Sequence, residues 1–263
     1  MLRPVSLSTW CFLEQQSGPR LAGVVEQIVS AGFGVEFWWN WRREPNALAR
    51  PSWDDWKART DGAAVITVHT KNDRQAVHEE LDFLAHVGGR ALVIHPALVW
   101  RQQDHTAPDE PWLAELLRHA TDEGLYIALE NIHPDDTVLL ERCVERFGPP
   151  GREGGFGICL DIGHCVSCEP ELPQPVQSLF ESFAGAIVTM HVHEVYGQTG
   201  HCLPGEPGGR VPWADLVQAM RRRDFSAIGT LEINMPRTHR PVQTWLAGLQ
   251  EAASYFKSHG LLG

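Results

Sequence analysis

No apolar run in this sequence approaches the ~18 residues that a membrane-spanning helix needs, so a membrane protein is not expected. The start, Met1-Leu2-Arg3-Pro4-Val5-Ser6-Leu7, lacks a secretion-signal pattern and reads as entering a first strand. Both features predict a soluble, cytoplasmic protein. Cysteine is sparse, with six irregularly spaced residues in 263. That excludes a disulfide scaffold and predicts reduced thiols. Cys165 and Cys168 have C-x-x-C spacing, but no second pair accompanies them, so they are read as ordinary loop and packing thiols. Positive charge is also short: 22 Lys and Arg against 33 Asp and Glu leave a net charge of −11. The one dense basic run, Arg221-Arg222-Arg223, closes a predicted helix, where it balances the helix dipole. Without a phosphate-neutralising patch, no useful binding to nucleic acid is expected at physiological salt. No literal repeat and no low-complexity linker divides the chain, so one domain over 1–263 is expected.

What the chain does have is a recurring unit. Short apolar runs rich in β-branched residues fall near 5–9, 35–39, 63–68, 91–94, 126–129, 157–160, 186–190 and 228–231. Such runs read as buried parallel strands. Between them lie amphipathic segments. Leu21, Val24, Val25, Ile28 and Val29 follow helical spacing, and Gly32 is a plausible stop. Val77, Leu81, Leu84 and Val87 repeat the pattern. So do Leu113, Leu116, Leu117 and Ala120 after Pro111, a good first-turn residue. Further helices are predicted over 138–147, 175–183 and 245–256, and a short one within 51–62. Eight strands alternating with helices imply an α/β fold, either a closed barrel or a long open sheet.

Six of the runs end on a residue that can bind a metal: His69, His95, Glu130, Asp161, His191 and Glu232. One such ending means little. Six together mean that the carboxyl ends of many strands converge on one floor, and only a closed (β/α)8 barrel, the TIM barrel, brings all those ends together. Glu130, Asp161, His191 and Glu232 form the strongest set. Three carboxylates in one pocket are unfavourable unless a cation offsets them. A mixed oxygen and nitrogen set of this kind suits Mn²⁺, Mg²⁺, Co²⁺ or Zn²⁺. His193, two residues past His191, is placed behind the metal or on the substrate. Ten tryptophans are many for this length. Trp53, Trp56, Trp112, Trp213 and Trp245 are assigned to the core. Trp10, Trp39, Trp41 and Trp100 stand at strand ends and are candidates for a substrate-enclosing wall. Glu36, inside the second strand, is a candidate substrate-side carboxylate. The Gly- and Pro-rich segment 196–212 shows no periodicity and is a candidate functional loop.

Four motifs now carry a resemblance: Leu129-Glu130-Asn131, Leu160-Asp161-Ile162-Gly163-His164, Met190-His191-Val192-His193-Glu194 and Leu231-Glu232-Ile233. In order and spacing they resemble the xylose-isomerase-like TIM-barrel superfamily of sugar isomerases, epimerases, dehydratases and endonuclease-IV-type DNA repair enzymes. The resemblance implies that Glu130, Asp161, His191 and Glu232 hold the shared divalent ion. It implies that Glu130 and Glu232 also move protons. His164 matches a histidine that contacts substrate, or a further metal in the endonuclease type. His69, His95 and His201 match other metal-binding histidines of that type. Two departures stand out. Thr199 replaces an aspartate expected two residues before His201, and Pro207 replaces the second glycine of a Gly-Glu-Gly turn.

Two activities follow as expectations. The first is a divalent-metal-dependent isomerase or epimerase. It would act on a sugar, sugar phosphate or related polyol or ketone, by proton transfer through a metal-stabilised enediolate. A dehydratase is a close variant. The second is an endonuclease-IV-type phosphodiesterase, against which stand the charge of −11 and Thr199. The expected partner is a small carbohydrate-like molecule. The sequence leaves the oligomeric state, a homo-oligomer included, undetermined.

Overall fold

Strand residues alternate between two faces, so each strand of a closed barrel sends every second side chain inward and the others outward. The computed structural model describes residues 1–12, 20–39, 47–101, 107–133, 136–148, 154–168, 175–205, 207–234 and 242–263. Among them are β1 (Leu2–Ser8), β2 (Gly34–Trp38), β3 (Ile66–His69), β4 (Ala91–Ile94), β5 (Tyr126–Glu130), β6 (Gly155–Asp161) and β7 (Ile187–Val192). A short antiparallel hairpin follows, β8 (Glu194–Tyr196) and β9 (Thr199–Cys202), and then β10 (Ala227–Leu231). The strands β1 to β7 and β10 close into one parallel barrel, with β1 hydrogen-bonded to both β2 and β10. The expected (β/α)8 architecture is therefore the observed one.

The helices are α1 (Leu21–Ser30), α2 (Trp53–Arg59), α3 (Val77–His86), α4 (Pro96–Val99), α5 (Glu110–Asp122), α6 (Asp136–Phe147), α7 (Ile162–Cys168), α8 (Pro175–Phe183), α9 (Trp213–Arg222) and α10 (Val242–Ser258). The expected short second helix is the seven-residue α2. The first strand begins at Leu2, earlier than the apolar run suggested, and β3 begins at Ile66, later than it did. Ladder pairing decides these bounds, and it is indifferent to side-chain polarity. It carries β5 onto Glu130 and β6 onto Asp161. The hairpin lies inside the segment 196–212 and its approach, where no periodicity foretold a strand. Arg222 and Arg223 do more than balance the end of α9, since both bind Glu181 on α8.

The apolar core lies outside the barrel wall. Leu7, Phe37, Val68, Leu129, Leu160 and Leu231 face the helices and belong to one continuous cluster of buried residues. Inside the wall the side chains are smaller and often polar. Ser6 and Thr230 share a hydrogen bond of 2.8 Å, and Val93, Ala128 and Cys159 form a separate small cluster. The hydrophobic effect is thus spent between sheet and helices, and the barrel's mouth is left for polar groups.

Leu160 is fully buried in that outer layer, next to Asp161 but facing away from it. Leu160→Ala is expected to cost about 2–5 kcal/mol of stability, measured by urea unfolding. The folded variant should keep its divalent-ion affinity. An equal loss of affinity would show that packing and site are not separable at this strand.

Candidate metal centre at the barrel mouth

Register sets the site. Asp161 pairs with His191 across β6 and β7, and His191 pairs with Thr230 across β7 and β10. Glu130 pairs with Cys159. Strand ends from around the barrel therefore meet at one level. Ligand-type atoms of Glu130, Asp161, His191 and Glu232 all lie within 4.8 Å of one another. A second group, His69, His95 and Glu130, satisfies the same limit and shares Glu130 with the first.

His191 is at the centre. Its Nδ1 lies 2.8 Å from Glu130 Oε1, 3.1 Å from Glu232 Oε2 and 3.7 Å from Asp161 Oδ2. Its Nε2 points the other way, 3.3 Å from Glu36 Oε2. Glu130 Oε2 lies 3.3 Å from His69 Nε2 and 3.1 Å from His95 Nε2. It is buried and makes no hydrogen bond of good geometry among the described residues. An oxygen left so in a dry pocket is costly, and a divalent ion would satisfy it. The donor set therefore fits a divalent metal ion with oxygen and imidazole ligands.

Neighbouring groups hold these candidate ligands in place. The main-chain N–H of His201 donates to His193 Nδ1 at 2.7 Å. That bond makes Nδ1 the acceptor and leaves the proton on Nε2, 3.1 Å from Asp161 Oδ1. His193 thus stands behind Asp161. Asn131 grips the same residue from the main chain, accepting from Asp161 N–H at 2.8 Å and donating to its carbonyl at 3.1 Å. His164 Nδ1 donates to the Asn131 carbonyl at 2.9 Å, and His201 Nδ1 donates to the Glu232 carbonyl at 3.0 Å. Each leaves its Nε2 as the nitrogen free for substrate or ion. Their rings stand 5.7 Å apart, edge to face. Gly163 leaves room for the His193 ring, because a Cβ there would sit 1.8 Å from it. His201 itself takes a left-handed backbone, φ 54°. Its hairpin is pinned by Glu194, which accepts from Val195, Arg210 and Val211 N–H groups and from Trp213 Nε1.

The aromatic wall is only partly where the sequence put it. The Trp10 ring packs 4.8 Å from His201. Trp39 instead packs on Phe83 of α3, 5.3 Å away, beside Phe37, which also meets Phe83. The place at the mouth goes to Trp38, whose ring is 4.4 Å from His69. Strand alternation is the reason: Trp38 shares a face with Glu36, and Trp39 shares one with Phe37. That rule, applied to Phe37-Trp38-Trp39, would have singled out Trp38. Trp41 lies outside the described residues. Trp100 follows α4, half-buried, with its carbonyl accepting from Arg74 Nη2 at 3.0 Å. Glu36, the candidate substrate-side carboxylate, is fully buried and faces Thr67 and His191. Asn72 was also missed. It meets His95 Nδ1 at 2.5 Å and carries a left-handed backbone, φ 63°, which the sequence did not signal. Cys165 is buried, and the side chain of Cys168 lies outside the described residues.

A model of the family described as xylose isomerase-like TIM barrel matches residues 32–259. The chain belongs to that family. No curated protein matches its sequence significantly. Solved structures that share the fold include L-ribulose 3-epimerase, at 14% identity and a TM-score of 0.69 over 98% of this chain and 94% of that one. The IOLI protein, solved with a bound zinc atom, gives 14% and 0.69 over 96% and 97%. The probable 3-DHS dehydratase AsbF from Bacillus anthracis gives 15% identity and a TM-score of 0.62 over 95% and 98%. At these identities the likeness speaks for the fold, and family members on it carry different reactions.

Charge in the pocket is balanced internally. Burial disfavours ionisation of Glu130, but the His191 charge outweighs it and holds the carboxyl well below its ordinary value. Burial likewise opposes ionisation of Asp161 and Glu232, yet His164 and His193 lower the first, and His191 brings the second down to about 2. Conversely, His69, His164 and His191 are raised despite burial by the facing carboxylates. Burial holds His201 below the ordinary imidazole value.

The signs fix a pH profile for the metal-free protein. Raised histidines contribute stability that is complete below their ordinary value of 6.5 and is lost as pH rises through their folded values. Lowered carboxyls contribute stability that is complete above their ordinary values and is lost as pH falls, for Glu232 down to about 2. The melting temperature of metal-stripped protein should therefore fall from about pH 6.5 upward, and again below about pH 4.5. Excess divalent ion should remove the alkaline decline, because the ion replaces the imidazolium charge. A melting temperature that is flat from pH 6 to 9 without ion would contradict this.

Proposed function

We propose that the protein is a divalent-metal-dependent isomerase or epimerase of a sugar, sugar phosphate or related polyol or ketone. The observation that carries the reading is the convergence of Glu130, Asp161, His191 and Glu232 at one end of the barrel, all buried. Epimerase structures on the same fold support it. A bound ion would supply Lewis-acid stabilisation of negative charge developing on adjacent substrate oxygens.

The chain's own residues supply the rest. Glu130 and Glu232 both contact His191 Nδ1 and so flank one position. One takes the proton α to the carbonyl, and the other returns a proton to the neighbouring carbon or the opposite face. His164 and His201 offer Nε2 to substrate hydroxyls. Trp10 and Trp38, with ring centroids 6.4 Å apart, present apolar surface against a sugar's C–H face and exclude water.

Metal-loaded protein, screened against keto sugars and cyclic polyols, should exchange a substrate C–H with solvent deuterium. Glu130→Gln and Glu232→Gln should each lower turnover by about 10²–10⁴-fold, even with metal occupancy restored by excess ion. Exchange should vanish in at least one variant. Wild-type exchange in both would remove the glutamates from proton transfer.

The cluster of His69, His95 and Glu130 supports a second reading, a metal-dependent phosphodiesterase with more than one ion. We expect one tight ion per chain at Glu130, Asp161, His191 and Glu232, with the His69 cluster as a weaker second position. Elemental analysis should give close to one ion per chain, unchanged in His69→Ala and His201→Ala. Three ions per chain, falling stepwise in those variants, with cleavage of abasic DNA, would put the phosphodiesterase first.

A further inference from the structure

Glu36 is a buried carboxylate that the proposed chemistry does not use. It is fully buried on β2. Thr67 Oγ1 donates to its Oε2 at 3.2 Å, and His191 Nε2 lies 3.3 Å from the same oxygen. Its Oε1 has no hydrogen-bond partner among the described residues. A carboxylate in that condition is a burden on folding, so its presence needs a return elsewhere. His191 supplies the link. Three other carboxylates face its Nδ1, at 2.8, 3.1 and 3.7 Å. Only Glu36 faces Nε2 among the described carboxylates. A neutral imidazole keeps one nitrogen bare and a proton on the other, and it ligates through the bare one. The nitrogen directed at the ligand set is Nδ1, so the proton belongs on Nε2, where Glu36 can accept it.

We propose that Glu36 is a positioning residue that accepts the Nε2 proton of His191 and thereby holds His191 Nδ1 bare and aimed as a metal ligand. This rests on the metal reading above. A carboxylate behind a ligating histidine fixes its tautomer and ring orientation and raises its basicity, and loss of such a partner weakens metal binding about 10–100-fold. Thr67, in register with Glu36 across β2 and β3, steadies the carboxylate from the side.

Co²⁺ is the probe for affinity, read by its visible absorption and by calorimetry. Glu36→Gln keeps an acceptor oxygen at near-identical size but removes the charge. Glu36→Ala removes both. The Kd for Co²⁺ should rise about 10-fold in the first and toward 100-fold in the second, with unchanged circular dichroism. In Zn²⁺-loaded wild-type protein, long-range ¹H–¹⁵N spectra should place the His191 proton on Nε2. That resonance should shift in Glu36→Gln and be lost to exchange in Glu36→Ala. A His191 proton on Nδ1 overturns the proposal, and this test needs no variant to fold. Co²⁺ affinities within twofold across all three proteins overturn it as well. A wild-type chain that binds no Co²⁺ overturns the metal reading and the proposal together, whereas binding indifferent to Glu36 overturns the proposal alone.

Discussion

Everything at the mouth of this barrel depends on how buried negative charge is balanced. Glu36, Glu130, Asp161 and Glu232 are each at most 4% exposed and sit around a common centre. Carboxylates so close and so dry repel one another and have lost their water. Imidazoles are the countercharge present in the chain. His191 touches all four carboxylates, His69 faces Glu130, and His164 lies near Asp161. The same nitrogens that neutralise the pocket can ligate a metal when bare. Protons and a divalent ion would therefore compete for one set of atoms, which would couple metal affinity to pH.

The barrel bears this cost because its hydrophobic core is elsewhere. Outward-facing strand residues bury against the helices, and small inward side chains fill the interior beneath the site. The polar floor then rests on a rigid wall whose register places Asp161, His191 and Thr230 side by side. What lies above the floor is less regular. The β8–β9 hairpin brings His201 over Glu232 and stacks it 4.0 Å from His193. Glu194 and Trp213 fasten that hairpin to the wall. The loops above a barrel of this kind are where substrate choice is made.

Much of this is legible in the sequence. Eight apolar runs at regular spacing give the barrel, because a strand and its covering helix each need a recognisable apolar face. The four principal ligand candidates were legible because each directly continues an apolar run, and the structure brings their side chains together. The tryptophans were less legible. Trp10 stands near a strand end and meets His201, but of Trp38 and Trp39 it is Trp38 that strand alternation pairs with Glu36 and that meets His69. Proximity to a strand end says only that a residue is near the mouth. Side-chain direction says which face it serves.

By itself the sequence determined the strand and helix pattern, the closed barrel and the chemical character of its floor. Those follow from periodicity and composition, which act locally along the chain. Only the tertiary structure decided the pairings: Glu36 behind His191, Asn131 and His193 on Asp161, Asn72 on His95, and Glu130 shared between two clusters. These contacts join strands and loops far apart in sequence. A hydrogen bond's partner, direction and tautomer depend on atoms placed to within a few tenths of an ångström, and barrel closure and stagger, which no local pattern encodes, set those positions.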